Sequence, residues 1–253
     1  MKAIVCGDPH LGLVVGGFDF FEDTVKAFRC IIEATDGVDL FVVLGDLFHD
    51  SRPTPRVVAA AIELLDNVDV PTVVIAGNHD ICRGLAVSWQ DANGKETTQP
   101  SRYPLPDALE PLRKNHWRSP KFFPSLPMIE YVGNELFLFG GYVTDAQTQH
   151  FSGCSAQKLV CDIFDQARGN QNIRAAFCHL DIQEAKVGSE SAVMRGAELS
   201  LPVEIAKTFP FPCFDGHIHL SQTIGSNIYL PGSIVPTDFS DVDGSHGYLE
   251  VEL

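Results

Sequence analysis

The sequence predicts an α/β sandwich of mixed sheets with helices on the outside, and three features of the chain predict it. Residues 1–80 alternate strand-sized apolar runs with amphipathic segments. Those runs are apolar on both faces, as strands in a covered sheet are. From Pro127 onward strand-like runs return, interleaved with further helical segments, and layers of sheet covered by helices accommodate both halves.

Taken in order, residues 2–6, 40–44 and 72–76 read as strands, with helices over 19–34 and 55–67 between them. Each of these strands ends on a glycine followed by polar residues: Gly7-Asp8-Pro9-His10, Gly45-Asp46 and Gly77-Asn78-His79-Asp80. The carboxyl ends of strands are where open α/β sheets bind ligands. Residues 81–126 carry Pro100, Pro104, Pro106, Pro111, Pro120 and Pro124 and a polar stretch over 91–99, which predicts loops around one short helix near 107–114. Residues 128–132 and 135–140 flank Gly133-Asn134 and predict a hairpin. A helix follows over 155–168 with Ser155 as its N-cap. Residues 173–178 form a buried strand ending on His179, 181–197 a polar loop, and 201–208 a helix. Short strands around 213–215, 227–230 and 248–253 complete the pattern.

Bulk properties narrow the function classes. With 45% apolar and 20% charged residues the chain is a folded protein and not a disordered one. At 253 residues a single domain over 1–253 is expected. The apolar runs are far shorter than the roughly 20 residues of a membrane helix, and the first run is too short for a secretory signal. Seven cysteines, an odd number without a C-x-x-C pair, several within apolar runs, point to a reducing, cytoplasmic setting. A net charge of -15 argues against holding nucleic acid by bulk electrostatics. A polyanionic substrate would need metals or a local basic patch.

The chemistry lies in Asp8, His10, Asp46, Asn78, His79, His179, His217 and His219, each just after an apolar strand. Alternate residues of an extended chain share a side, so Asp8 with His10, and His217 with His219, can face one pocket. Taken singly, an Asp or Asn in such a place is a turn residue or helix cap. Jointly that reading fails, because six of the nine histidines (His10, His49, His79, His179, His217, His219) fall in these clusters. Three oxygen donors and four imidazoles exceed the needs of one ion but fit two that share a bridge, for which Asp46 is the natural residue. Such a donor set suits Mn, Fe, Zn or Ni, and two ions roughly 3.5 to 4 Å apart are the apparatus of phosphoester hydrolysis. His116, His150 and His246 have no such partners and read as structural or surface residues, and Cys82 and Cys178 as packing.

The segments Gly7-Asp8-Pro9-His10, Gly45-Asp46-Leu47-Phe48-His49, Gly77-Asn78-His79-Asp80, His179 and Gly216-His217-Ile218-His219 resemble, in order and spacing, the five motifs of the calcineurin-like metallophosphoesterases. The resemblance covers residues 7–219. It implies a four-layer α/β/β/α sandwich and two divalent ions, Mn2+ foremost, with Mg2+, Fe2+, Zn2+ or Ni2+ as alternatives. One ion would be held by Asp8, His10, Asp46 and His219, the other by Asp46, Asn78, His179 and His217. His79, positioned by Asp80, would contact the phosphate.

Within that superfamily, residues 45–53 and the tail from Leu230-Pro231-Gly232-Ser233 through Phe239-Ser240 to residues 247–252 resemble the nuclease subunit of SbcD-type double-strand-break repair complexes. That resemblance implies a DNA exonuclease or single-strand endonuclease acting in repair. It also makes His49 the residue on the leaving-group side, where it would supply a proton. Those nucleases continue into a capping domain and helices that dock a coiled-coil ATPase of the SbcC type, whereas this sequence stops at Leu253. The expectation is a domain without either, and the ATPase and a homodimer are the assemblies to test. Arg52, Arg56 and Arg83, beside the motifs, are candidate substrate contacts.

Arg113, Lys114, Arg118 and Lys121, interleaved with Trp117, Phe122 and Phe123, could guide a nucleic-acid strand or be a solvated turn with its aromatics in the core. Asp238, Asp241, Asp243, Glu250 and Glu252 read as a solvated edge. Two other functions compete: a phosphodiesterase or phosphatase for nucleotides and other small phosphoesters, and a metal-binding scaffold without hydrolysis, which broken ligand positions would favour and the intact ones do not.

Overall fold

The computed structural model describes residues 1–81, 107–186, 199–237 and 244–253, and the backbone of two strands between the first two segments. The first half contains β1 (Lys2–Cys6), β2 (Val14–Val15), β3 (Phe18–Asp19), α1 (Phe21–Glu33), β4 (Leu40–Val43), α2 (Pro55–Asp66) and β5 (Thr72–Val74). Next come β6 (Val87–Gln90), β7 (Glu96–Gln99), the single turn α3 (Glu110–Arg113) and β8 (Lys121–Phe122). The second half contains β9 (Met128–Val132), β10 (Glu135–Gly140), α4 (Asp145–Phe151), α5 (Ala156–Ala167) and β11 (Ile173–Cys178). It ends with α6 (Val203–Ala206), β12 (Cys213–Asp215), β13 (Gln222–Ile224), β14 (Ile228–Leu230) and β15 (Tyr248–Glu252).

Two mixed sheets form the centre. The first has the order β15-β1-β4-β5-β8, with β15 antiparallel to β1 and the remaining pairs parallel. The second has the order β13-β14-β12-β11-β10-β9, parallel except at its two ends. Side chains alternate across each strand. Ala3, Val5, Leu40, Val42, Leu44, Val73 and Ile75 of the first sheet meet Phe137, Phe139, Ala175, Phe177 and Phe214 of the second in a buried layer. The alternate residues Ile4, Cys6, Phe41, Val43 and Val74 pack in the cluster that contains the apolar stripes of α1 and α2. Leu138, Ala176, Cys178 and Cys213 lie in the same cluster with Val160, Phe164 and Ala167 of α5. The layers are therefore α/β/β/α, as expected.

Local chemistry sets the helix ends. The Asp19 carboxylate accepts from the Phe21 amide at 2.8 Å at the entrance to α1, Pro55 opens α2, and Ser155 caps α5. The hairpin β9–β10 turns at Gly133-Asn134. Seven short elements fall where none was expected: β2, β3, β6, β7, β8, β13 and α4. The helix expected over 201–208 contracts to α6, entered directly from Pro202. No described helix is long and apolar enough to cross a membrane.

The basic segment resolves into a structural one. Arg113 pairs with Asp107 at 2.6 Å, Lys114 with Glu110 at 2.8 Å and Arg118 with Asp66 at 3.0 Å. The Lys121 ammonium donates to the Val68 carbonyl at 2.9 Å. Trp117 packs tilted against Phe123, with ring centroids 6.1 Å apart, and Phe122 lies against Phe139 in the layer between the sheets. The aromatics are taken up in packing and each cation has a partner, with Lys114 and Arg118 still exposed in their ion pairs. Glu250 and Glu252 are exposed on the edge strand β15, where charge discourages strand addition. Cys82, Arg83 and Asp238, Asp241 and Asp243 lie outside the described residues.

Candidate metal centre

Because β1, β4 and β5 run parallel, as do β10, β11 and β12, the carboxyl ends of both sheets come to one edge. They are joined there by backbone: Tyr142 N–H, after the second sheet's β10, donates to the Ala76 carbonyl, after the first sheet's β5, at 2.8 Å. The chain turns sharply on leaving the strands. Asp8, His10, Asp46 and His217 have φ of 50°, 43°, 47° and 57°, and they are the four non-glycine residues with positive φ among those described. That conformation is disfavoured for L-residues and gathers at functional sites. All four belong to the expected donor set. A side chain at Gly77 would collide with the Asp46 carboxylate, and one at Gly45 with the His179 imidazole, so close approach explains these two glycines.

The donors form two connected halves. In one, His10 Nε2 lies 3.2 Å from His219 Nε2, and donor atoms of Asp8, His10 and His219 fall within 4.8 Å of one another. In the other, Asn78 Oδ1 lies 2.9 Å from His179 Nε2 and 3.0 Å from His217 Nδ1. Asp46 stands between them, its Oδ2 3.8 Å from His10 Nε2 and 3.5 Å from His179 Nε2. Its Oδ1 accepts from the His79 amide at 2.8 Å. Asp8, His10, Asp46, Asn78, His179 and His219 are buried, while His49, His79 and His217 are only partly so and mark the open side. The Asp8 carboxylate is fully buried, yet neither oxygen has a hydrogen-bond partner. Such a group is costly unless a cation completes it, so the residues present fit a metal.

The electrostatics agree. Burial alone would raise Asp46, but His179, His79 and His10 around it hold its carboxyl well below the usual range. Burial would lower His179, but the Asp46 and Asp8 carboxylates raise it to about 10. Burial, reinforced by His219, His79 and His49, holds His10 well below its ordinary value against the pull of Asp46, leaving a neutral imidazole with a lone pair to give. Burial also raises Asp8. The pocket thus pairs an ionised Asp46 with a protonated His179 and keeps His10 as a neutral nitrogen donor.

Two expectations need correcting. Asp80 does not orient the His79 ring. Its Oδ1 accepts from the Phe48 amide at 3.0 Å and its Oδ2 from the Gly77 amide at 2.9 Å, tying the second and third motif loops together. Burial and the charge of Asp46 push Asp80 up to about 7. The His79 ring is held instead by the His49 carbonyl, 2.7 Å from Nδ1. The His49 ring sits 5.4 Å from those of His10 and His79. Arg56 is also corrected: its guanidinium bonds Glu22 at 2.5 Å, lies 3.9 Å from Asp19 and covers the Phe21 ring at 4.0 Å. That clamps α2 to the start of α1 and leaves little for a substrate. The Arg52 side chain is exposed, and Arg83 is not among the described residues.

Two residues of this region were missed. Asp215 is fully buried, with Oδ1 3.4 Å from the Leu180 amide and Oδ2 without a partner; its place directly before Gly216-His217 was the available signal. Thr237, whose Oγ1 lies 2.6 Å from His219 Nδ1, falls outside the five motifs but inside the tail from Leu230 to Ser240 that the sequence had singled out.

This fold and this convergence of donors define a metal-binding phosphoesterase, and the chain belongs to the calcineurin-like phosphoesterase family, whose model matches residues 1–220. Among individual relatives, the chain is 25% identical over its whole length to the SbcD subunit of the SbcCD nuclease of Staphylococcus epidermidis, spanning 66% of that protein, just under two thirds. An 86-residue stretch, 32% of this chain and 19% of the relative, is 41% identical to the DNA double-strand break repair protein Mre11 of Archaeoglobus fulgidus. A putative phosphoesterase 244L of invertebrate iridescent virus 6 is 25% identical over 250 residues, 95% of this chain and 72% of that one.

Proposed function

We propose that this phosphoesterase hydrolyses phosphodiester bonds with two divalent cations, Mn2+ foremost, and that its substrate is DNA, as for a nuclease of repair or DNA processing. The observation that carries the two-cation reading is Asp46, whose Oδ2 lies 3.8 and 3.5 Å from imidazoles in the two halves of the site, beside an Asp8 carboxylate whose oxygens have no hydrogen-bond partner. Asp8, His10, Asp46 and His219 would hold one ion and Asp46, Asn78, His179 and His217 the other. Bound there, the cations supply Lewis acidity, neutralising phosphoryl charge and acidifying water.

The chain's own residues do the rest. The His179 ring is fixed by the Leu44 carbonyl, 2.7 Å from its Nδ1, which turns Nε2 toward Asn78 and Asp46. His79, fixed by the His49 carbonyl, presents its other nitrogen at the open side to a phosphoryl oxygen. His49, beside it, gives the proton that the departing alkoxide needs. Arg52 is the remaining described candidate for contact with the DNA backbone.

The names of the SbcD and Mre11 relatives support DNA. A second reading, hydrolysis of nucleotides or other small phosphoesters, is favoured by a net charge of -15 and by a basic segment neutralised by its own carboxylates. Labelled single- and double-stranded DNA, assayed beside cyclic and linear nucleotides with Mn2+-reconstituted protein, separates them. Cleavage of DNA alone or in strong preference supports the nuclease, preference for nucleotides the second reading, and no hydrolysis of any substrate a metal-binding scaffold. An SbcC-type ATPase and a second copy of this chain are the partners to test by co-purification and light scattering.

A further inference from the structure

The segment Leu230-Pro231-Gly232-Ser233 was singled out by the sequence, yet nothing in the proposed chemistry uses it. In the structure it forms a strap joining the first and last motifs. Ser233, fully buried, bridges in parallel to Gly7, the residue before Asp8. Its amide donates to the His219 carbonyl at 3.2 Å, and its hydroxyl donates to the Val235 carbonyl at 2.7 Å, shaping the next turn. Gly232, with φ of 79°, lies where a side chain would meet the His219 carbonyl at 2.6 Å. The strap then delivers Thr237, 7% exposed, to the imidazole of His219, with Oγ1 2.6 Å from Nδ1.

An imidazole that gives its Nε2 lone pair to a cation carries its proton on Nδ1, and that proton needs an acceptor. We propose that Thr237 is a positioning residue for the half of the site built from Asp8, His10 and His219. Its hydroxyl oxygen accepts the His219 Nδ1 proton, fixes the tautomer and aims Nε2 toward the point where it already faces His10 Nε2 at 3.2 Å. The inference rests on the two-cation reading. It adds a selectivity that the reading does not contain: loss of Thr237 affects one ion and not the other, because His179 in the second half is held by a main-chain carbonyl.

The test compares Thr237→Val, which keeps the shape and removes the acceptor, with Thr237→Ser, which keeps the acceptor; Thr237→Ala takes the place of the valine variant if that does not fold. Calorimetric titration of metal-free protein with Mn2+ should show Val weakening one binding step by about 10- to 100-fold, with the other step within about 2-fold and Ser close to wild type. Nitrogen-15 histidine spectra of the metal-free protein provide a second readout. They should place the His219 proton on Nδ1 in wild type and Ser, and redistribute it toward Nε2 in Val. Two unchanged binding steps in Val, equal weakening of both steps without rescue by Ser, or a wild-type His219 protonated on Nε2 would overturn the role of Thr237. Fewer than two Mn2+ bound by wild type would instead sink the two-cation reading, and the tautomer would still decide the role of Thr237.

Discussion

Replacing His49 by alanine separates proton donation from metal binding. The ring is half-buried at the open side, its Nδ1 has no hydrogen-bond partner, and its contacts are with the rings of His10 and His79 at 5.4 Å. The substitution leaves the His49 carbonyl, so the bond that fixes His79 survives. Two ring contacts are lost, each worth about 0.5–1.5 kcal/mol, and a chain of this size loses about 2–4 °C of melting temperature per kcal/mol. The variant therefore stays folded. Removing a general acid costs about 10²- to 10⁴-fold in turnover of an alkyl diester, equivalent to about 2.7–5.4 kcal/mol of barrier. A nitrophenolate departs unaided, so a nitrophenyl diester should lose less than about 10-fold. The assay is kcat on a single-stranded oligonucleotide and on the nitrophenyl diester, for wild type and variant at matched Mn2+ occupancy. Equal losses on the two substrates refute the proton-donor role. Loss of an ion makes His49 a ligand, an outcome its grouping with His10 and His79 within 4.8 Å permits.

Three further outcomes are expected. Arg52→Glu should raise KM for oligonucleotides and spare the nitrophenyl diester, whereas Arg56→Glu should lower the melting temperature without a DNA-specific KM effect; a DNA-specific effect of the second would return Arg56 to the substrate path. Asp80→Ala should destabilise the metal-free protein by about 1–3 kcal/mol for each buried amide it orphans, and unchanged denaturant unfolding would show that those amides find other partners. Phe177→Ala, between the sheets with Phe137, Phe139 and Phe214 around it at 5.4 to 6.2 Å, should cost about 3–5 kcal/mol and lower the melting temperature by about 6–20 °C. A shift smaller than that would mean the layer repacks.

Why the outline was legible and the detail was not follows from particular residues. Strands such as Leu40–Val43 are buried at every position, so their composition is uniform and unmistakable, and the Gly133-Asn134 turn marks the hairpin directly. The two- and three-residue strands β2, β3 and β13 are too short to carry a period. Helix α4 did have a signal, Thr144 with Gln147 as a capping box, but its seven residues hold too few apolar positions to announce a stripe. The expected donors were visible because each follows a strand end. The role of Asp80 was not, since whether a carboxylate meets a ring or a backbone amide depends on loop geometry that no spacing encodes. For the same reason Arg56, adjacent to a motif in sequence, turned out to serve α1 and α2, while Thr237, outside the five motifs, reaches His219.

The most direct test of the central claim is the number of ions bound, measured by calorimetric titration and elemental analysis of the Mn2+-loaded protein, for wild type and Asp46→Ala. The expected result is two Mn2+ per chain in wild type and weakening of both sites in the variant, because the Asp46 carboxylate lies between His10 and His179. One ion or none in wild type, or two undisturbed sites in Asp46→Ala, would contradict it.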